Sequence, residues 1–286
     1  MYNGADYLAE TLDSLLAQTY TDFDLIISDN ASTDGTAEIC KRYASMDGRV
    51  RYLPLHANIG GIGNHNRLFS LAAGKYFMLA SHDDVWLPDY LLRCVQILDS
   101  DPTVTLAFCR TAIMDGSSKL TKRLELESHA DSPDVVERFA QFVQIYSTLE
   151  AGYGVLRTEV LRKVRPYILH PGSDRVWLCE LALRGRFVRI PDHLYYRRVH
   201  EKGSTQVFPG LRERFVWASP QLAGKRVYPY FGYLWAYLTA MLRTPLTVRQ
   251  RGRCAWVLLR WVKYHWRELA EDVSIPPASV RAGPAR

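Results

Sequence analysis

The sequence predicts an α/β fold, a mostly parallel sheet flanked by helices and followed by a helical extension at the C-terminal end. Three observations predict it. Apolar runs alternate with helical periodicity over the first hundred residues, acidic clusters fall where two of those runs end, and the chain turns basic and aromatic beyond about residue 205. With 286 residues it has room for one large domain and an appendage. The expected division is 1–110 and 111–204 as two halves of one domain, with 205–286 as the extension.

The elements follow in order. Tyr7, Leu8, Leu12, Leu15 and Leu16 recur at helical spacing within residues 5–18. Phe23 to Ser28 is a short apolar strand ending on Asp29, Thr36 to Tyr43 reads as a helix, and Val50 to Leu55 as a second strand. Ile62 to Ala73 is helical and stops at Gly74, a residue suited to a helix end. Lys75 to Ala80 is a third buried strand running into His82-Asp83-Asp84, and Pro88 opens a helix to about Ser100. Thr105 to Cys109 gives another strand, and residues 115–135 read as a polar surface loop. Helical segments surround Ala151-Gly152-Tyr153-Gly154 within 134–185, and Gly185 to Pro191 returns to strand, followed by Leu194 to His200. In such a sheet ligands gather at the C-terminal strand ends, where Asp29-Asn30 with Asp34, and Asp83-Asp84, are placed.

A hydrophobic fraction of 48% with 23% charged residues is ordinary for a globular chain. Five cysteines, Cys40, Cys94, Cys109, Cys179 and Cys254, have no paired spacing, which points to a reduced, cytoplasmic setting and away from a zinc site or disulfides. No basic region followed by an apolar run opens the sequence, so no secretory signal is read there. The net charge of +6 divides into +9 for residues 205–286 and −3 for the rest, which suggests an anionic partner for the tail alone.

Asp83-Asp84 is the first chemical signal. Two carboxylates just past a buried strand repel each other and resist burial unless a cation compensates them, and Mg²⁺ or Mn²⁺ shares such ligands with substrate phosphates. Capping the helix opened by Pro88 is the competing role. Asp34 suits a helix cap, whereas Asp29 at a strand end suits an acceptor for a nucleobase N–H. Asn58-Ile59-Gly60-Gly61-Ile62-Gly63-Asn64-His65-Asn66 allows close backbone approach but lacks the dinucleotide spacing.

The order of these motifs resembles the family 2 glycosyltransferases with the GT-A fold, mostly inverting enzymes that use nucleotide-sugar donors. The resemblance is carried over roughly residues 1–204 by Tyr2-Asn3-Gly4 with Leu8, Leu12, Leu15 and Leu16, by Gln18-Thr19-Tyr20, and by Asp29-Asn30-Ala31-Ser32-Thr33-Asp34-Gly35-Thr36. Asn58-Ile59-Gly60, Asn66 and the run Ala73-Gly74-Lys75-Tyr76-Phe77 to Asp83-Asp84 with Pro88 complete the donor half. The resemblance implies that Asp29 meets the nucleobase, that Asn30, Asn66 and Asp83 contact the donor, and that Asp84 binds Mn²⁺ or Mg²⁺. His82 stands where the metal element often begins with Asp, and His65 where many relatives have Arg. Tyr196-Arg197-Arg198-Val199-His200 with Ser204 is similar to the element in which His completes the metal shell and Arg meets the diphosphate, implying His200 and Arg197 in those roles; a purely structural His200 stays open. Gly172-Ser173-Asp174-Arg175-Val176-Trp177 looks like the segment that carries the base, which implies Asp174, with Glu180 as the fallback and helix capping as the other role for Asp174.

The implied activity is hexosyltransferase-like transfer from a nucleotide-diphosphate donor to a hydroxyl of a glycan or lipid-linked acceptor. The rival is a catalytically inactive relative serving as scaffold or nucleotide-sugar sensor. Relatives carry an apolar strand immediately before Tyr2-Asn3-Gly4, so the expectation is a start upstream of Met1 and a gap in the sheet. Residues 227–242 are apolar but short of a membrane span, and 249–267 mix Arg and Lys with Trp256, Trp261 and Trp266. Two roles stand for residues 227–267: peripheral contact with an anionic inner membrane face, or a helix pair packed on the domain. A nucleic-acid partner is not expected.

Overall fold

The computed structural model describes residues 1–125, 130–144, 149–168, 172–207 and 225–274. The expected extension therefore lies outside the described residues at 208–224 and 275–286. The first half runs α1 (Ala5–Leu16), β1 (Leu25–Asp29), α2 (Thr36–Met46), β2 (Val50–Pro54), α3 (Gly60–Ser70), β3 (Tyr76–Met78), β4 (Val85–Trp86) and α4 (Tyr90–Ser100). The second half contains β5 (Val104–Asp115), β6 (Leu120–Arg123), α5 (Val135–Gln144), β7 (Val155–Arg157), α6 (Thr158–Leu161), α7 (Ser173–Ala182), β8 (Arg186–Val199) and α8 (Ser204–Val207). Three helices close it: α9 (Pro229–Arg243), α10 (Val248–Tyr264) and α11 (Trp266–Ser274).

The α/β layering matches the expectation, but the strands form two sheets, and the larger is mixed. β1 and β2 pair in parallel as a two-stranded sheet. The other six order as β3-β7-β5-β8-β4, with β6 on β5. Among the described residues only β5 and β8 pair in parallel there; β3, β4, β6 and β7 join antiparallel. Apolar periodicity marks a strand as buried and says nothing of its direction, so the mixture was not readable from the pattern.

Two strands outrun their expected lengths. β8 passes through Pro191, where proline removes a donor, and its register against β5 shifts between Cys109–Ile190 and Arg110–His193. β5 extends to Asp115 because a turn there returns the chain as β6, so the expected loop over 115–135 contains a short hairpin strand.

Three apolar clusters hold the layers. Leu8, Leu12, Ile27, Cys40 and Tyr43 join α1 and α2 to β1. Trp86, Tyr90, Leu98 and Tyr195 fill the space between α4 and the larger sheet. The largest cluster links Leu106, Phe142 and Phe187 to Trp177 of α7, and it also takes in Tyr237 of α9 and Trp261 of α10. The tail helices therefore pack on the domain through one face. Burying aromatics of this size contributes roughly 2–3 kcal/mol each, so α9 and α10 are built into the core. Thr247 caps α10 through a reciprocal pair of hydrogen bonds with Gln250.

Candidate functional site

The site grows from the turn after β3, where Asp83 and Asp84 part company. Asp83 lines a cleft between β1 and β3. One oxygen of its carboxylate accepts from the Ser81 hydroxyl, and the other lies 3.1 Å from Nε2 of His200. Burial works to raise Asp83, but His82, the Ser81 hydroxyl and His200 outweigh it and hold the carboxyl below the usual range. His200 also lines the cleft, with its ring edge-on to Tyr7 at 4.7 Å and its Nδ1 buried without a hydrogen-bond partner among the described residues.

Asp84 faces away and is only 2% exposed. Its Oδ2 accepts from the Tyr195 hydroxyl at 2.5 Å and its Oδ1 from the Arg198 backbone N–H at 2.8 Å. Thr11 of α1 donates to its carbonyl at 2.7 Å. Burial, and then the charge of Asp83, push its carboxyl up to about 7. A buried carboxylate whose two oxygens already accept from the fold is poorly placed to meet a cation. Of the two carboxylates, Asp83 is the one that lines the cleft.

Arg198 fixes the same turn from behind. Its guanidinium donates to the Asp83 carbonyl at 2.7 Å, to the Ser118 hydroxyl at 2.8 Å and to Glu10 at 2.5 Å, and it lies over the Tyr7 ring. Gly4 is required where the chain crosses His82, because a Cβ there would come within 2.5 Å of the ring.

The first acidic cluster is a folded turn. Ala31 takes a left-handed φ of 62°, which brings Ser32 back so that its N–H and hydroxyl reach Asp29 Oδ1 at 3.0 and 2.5 Å. Tyr52 donates to Asp29 Oδ2 at 2.8 Å, and Asp29 is 2% exposed. The nucleobase contact expected of Asp29 therefore meets a carboxylate already engaged by the turn. Asn30, by contrast, lines the cleft and is held by Asn58 and the Ile59 N–H at 2.9 Å each. Asp34 fastens the start of α2 through the Thr36 N–H at 3.0 Å, as a cap should.

Two further expectations are redirected. Asn66 donates to the Tyr167 carbonyl at 2.8 Å and accepts from the Tyr167 N–H at 2.7 Å, so it clamps the backbone of a distant segment instead of pointing at a donor. Arg197 is 3.9 Å from Glu150, a carboxyl raised by burial, and it does not line the cleft. Asp174 sits in the first turn of α7, where the helix dipole favours a carboxylate, and its Oδ1 accepts from the Arg175 N–H at 2.8 Å. Glu180, one helical turn and a half further, is buried against Arg184 at 3.2 Å. Tyr153 relates the carboxylates: its hydroxyl is raised by burial first, then by the charges of Asp84, Asp83 and Asp174 together. Tyr153 also lines the cleft with Asp83, whereas Asp174 does not.

Tyr195, Arg198 and Glu10 were missed in the sequence. The available signal was the need itself: one of two adjacent buried carboxylates must find donors on a neighbouring strand, and Leu194 to His200 is the strand rich in them. For Asn66→Ala, loss of the Tyr167 clamp should lower stability by about 1–3 kcal/mol in denaturant melts. Nucleotide affinity, measured by titration, should stay within roughly twofold.

Residues 1–164 match the family model described as Glycosyl transferase family 2. The amylovoran biosynthesis glycosyltransferase AmsB of Erwinia amylovora is 26% identical over 281 residues, covering 92% of this chain and 87% of that protein. An uncharacterized glycosyltransferase of Nostoc sp. is 28% identical over 204 residues, covering 70% of this chain and 62% of the relative, so the chain spans less than two thirds of it. Among solved structures, residues 1–349 of S. aureus TarS in complex with UDP superpose with a TM-score of 0.65 at 17% identity, covering 96% of this chain and 73% of that one. The mannosyltransferase PcManGT of Pyrobaculum calidifontis, in complex with GDP-Man and Mn²⁺, gives 0.54 at 17% identity, covering 96% and 82%. The family match takes in more than half of the chain, and the chain belongs to glycosyl transferase family 2 with a GT-A fold.

Proposed function

We propose that this chain is an inverting, metal-dependent glycosyltransferase that moves a hexosyl group from a nucleotide-diphosphate donor to a hydroxyl of a glycan or lipid-linked acceptor. The observation that carries the reading is the approach of Asp83 and His200 to 3.1 Å on the wall of a cleft that Asn30 and Tyr153 also line. A carboxylate beside an imidazole whose second nitrogen lacks a hydrogen-bond partner among the described residues suits Mn²⁺. Among the described residues no cluster of three or more ligating side chains forms. Asp83 and His200 would hold a divalent cation from the protein side, and such a cation can also take oxygens of a donor diphosphate. When bound, the cation offsets charge on the leaving diphosphate.

Each residue then has a task. Asn30 faces the nucleoside from the end of β1, while Asp29 holds the shape of the turn that presents it. Asp84, Tyr195 and Arg198 keep Asp83 aimed into the cleft. Asp174 takes the proton of the acceptor hydroxyl as its oxygen bonds to the anomeric carbon, and the bond from that carbon to the diphosphate oxygen breaks with its electron pair. One displacement of this kind inverts the anomeric centre. In the presence of Mn²⁺, Asp174→Asn should cut transfer roughly 10³-fold, about 4 kcal/mol, without lowering the melting temperature. Full turnover by that variant contradicts the assignment of the base, and a wild-type chain that binds nucleotide sugar without ever turning it over fits the scaffold or sensor instead.

The tail helices support a peripheral lipid contact on the faces they do not bury. Phe231, Trp235 and Leu242 are 42%, 65% and 52% exposed at helical spacing on α9, and Trp256, Leu259 and Tyr264 are similarly exposed on α10 beside Arg260 and Lys263. No helix of the described residues is long and apolar enough to cross a membrane. The chain should float with vesicles containing anionic lipid at low salt and be released by Trp235→Ser with Trp256→Ser. Absence of wild-type flotation contradicts the contact.

A further inference from the structure

Gly172, two residues before Asp174, is where the tail meets the helix that carries the proposed base. It takes a left-handed φ of 79°, and its carbonyl accepts from the Arg175 and Val176 N–H groups at 3.1 and 3.3 Å, closing the first turn of α7. Tyr233 of α9 lies directly against it. A Cβ on Gly172 would run into the Tyr233 hydroxyl and come within 2.7 Å of its Cζ, so the tyrosine occupies the space a side chain would take. Both the dihedral and this close approach call for glycine.

The tail holds Tyr233 in that place. Its ring stacks on Tyr237 at 6.0 Å and meets Tyr230 edge-on at 6.3 Å, and both of those rings pack on Trp261 of α10. Asp272 of α11, itself 3% exposed, accepts from the Tyr230 and Phe231 N–H groups at 2.7 and 3.1 Å and so secures the first turn of α9. At the far end Thr244, just past α9, accepts from Arg184, just past α7, at 2.8 Å. Helix α9 is therefore fastened beside α7 at both ends. A gap lined by Ser173, Trp177 and Ala236 measures about 10 Å³, which leaves neither helix room to shift toward the other.

We propose that Tyr233 is a positioning residue for Asp174, holding the first turn of α7 closed from the tail. This deepens the assignment of Asp174 as the base and rests on it. The first turn of a helix has N–H groups without partners in the helix and opens more readily than its middle. Gly172 brings no side chain to pack that turn, and Tyr233 supplies the missing contact from α9. Displacement needs the accepting carboxylate held to a fraction of an ångström, so loosening the turn lowers the rate. Tyr233 does not line the cleft, so it acts through α7. The tail then belongs to the catalytic unit through this face, whatever its exposed face meets.

The test uses the full chain with Tyr233→Ala, Tyr233→Phe and, as a control, Leu269→Ala, which removes a buried side chain from α11. Tyr233→Ala should speed hydrogen exchange at the Arg175 and Val176 amides roughly tenfold or more, whereas Leu269→Ala should lower the melting temperature and leave those amides slow. In the transfer assay with Mn²⁺, Tyr233→Ala should lower kcat roughly tenfold or more and keep the donor KM within about twofold. Tyr233→Phe keeps the ring against Gly172 and should hold kcat within about threefold of the wild-type chain. Added to Asp174→Asn, Tyr233→Ala should change kcat by less than about twofold, because the carboxylate it positions is gone. Unchanged exchange at Arg175 and Val176 in Tyr233→Ala overturns the proposal, and so does equal acceleration in Leu269→Ala. A kcat loss that persists undiminished in the Asp174→Asn background also overturns it. Failure of the base assignment is told apart by full turnover in Asp174→Asn alone, which the exchange measurement does not involve.

Discussion

The site depends on one buried carboxylate, that of Asp84. Taking a carboxylate out of water is unfavourable unless its oxygens find donors, and here Tyr195 and the Arg198 N–H provide them from β8. Hydrogen bonds to a charged group are each worth about 1.5–3 kcal/mol, enough to fix a turn but short of the full desolvation cost. The carboxyl therefore rises to about 7 and stays close to the boundary between its two forms. Its structural consequence is direct. With Asp84 turned inward, the adjacent Asp83 must turn outward, and the outward direction meets His200 at the end of the same β8 strand.

The rest of the architecture serves this crossing of two chain segments. β8 is central beside β5, so its position is set by the longest ladder among the described residues. Arg198 carries that position to α1 through Glu10 and to the β5–β6 turn through Ser118. Thr11 adds a bond from α1 to the Asp84 carbonyl. The tail helices bury Tyr237 and Trp261 in the cluster that backs α7, and so they steady the helix on which Asp174 sits. The proposed base and the proposed cation corner, on different elements, would need this kind of rigid frame.

The alternation of helices and strands was legible because apolar spacing records burial. The helices over 5–16 and 36–46 fell where the pattern put them. Direction and pairing were not legible, since β7 and β5 carry similar apolar runs whichever way they point. The candidate site was legible as a set of residue types at strand ends and less so residue by residue. Asp83 and Asp84 are adjacent and chemically identical, and only the donors on β8 decide which of them faces inward. Asn66 shows the same limit: an amide can serve a ligand or a distant backbone, and the Tyr167 clamp lies 101 residues away in sequence. Of the two roles expected of the tail, packing on the domain is what the buried faces of its helices display, while their other faces are exposed.

The central claim is that Asp83 and His200 form the cation corner while Asp84 stands behind it. Electron spin-echo modulation of Mn²⁺ added with a nucleoside diphosphate tests it most directly, since a bound imidazole nitrogen leaves its own modulation on the signal. The account predicts that modulation in the wild-type chain and its loss in His200→Gln. A bound Mn²⁺ signal with no nitrogen modulation in the wild-type chain would contradict it.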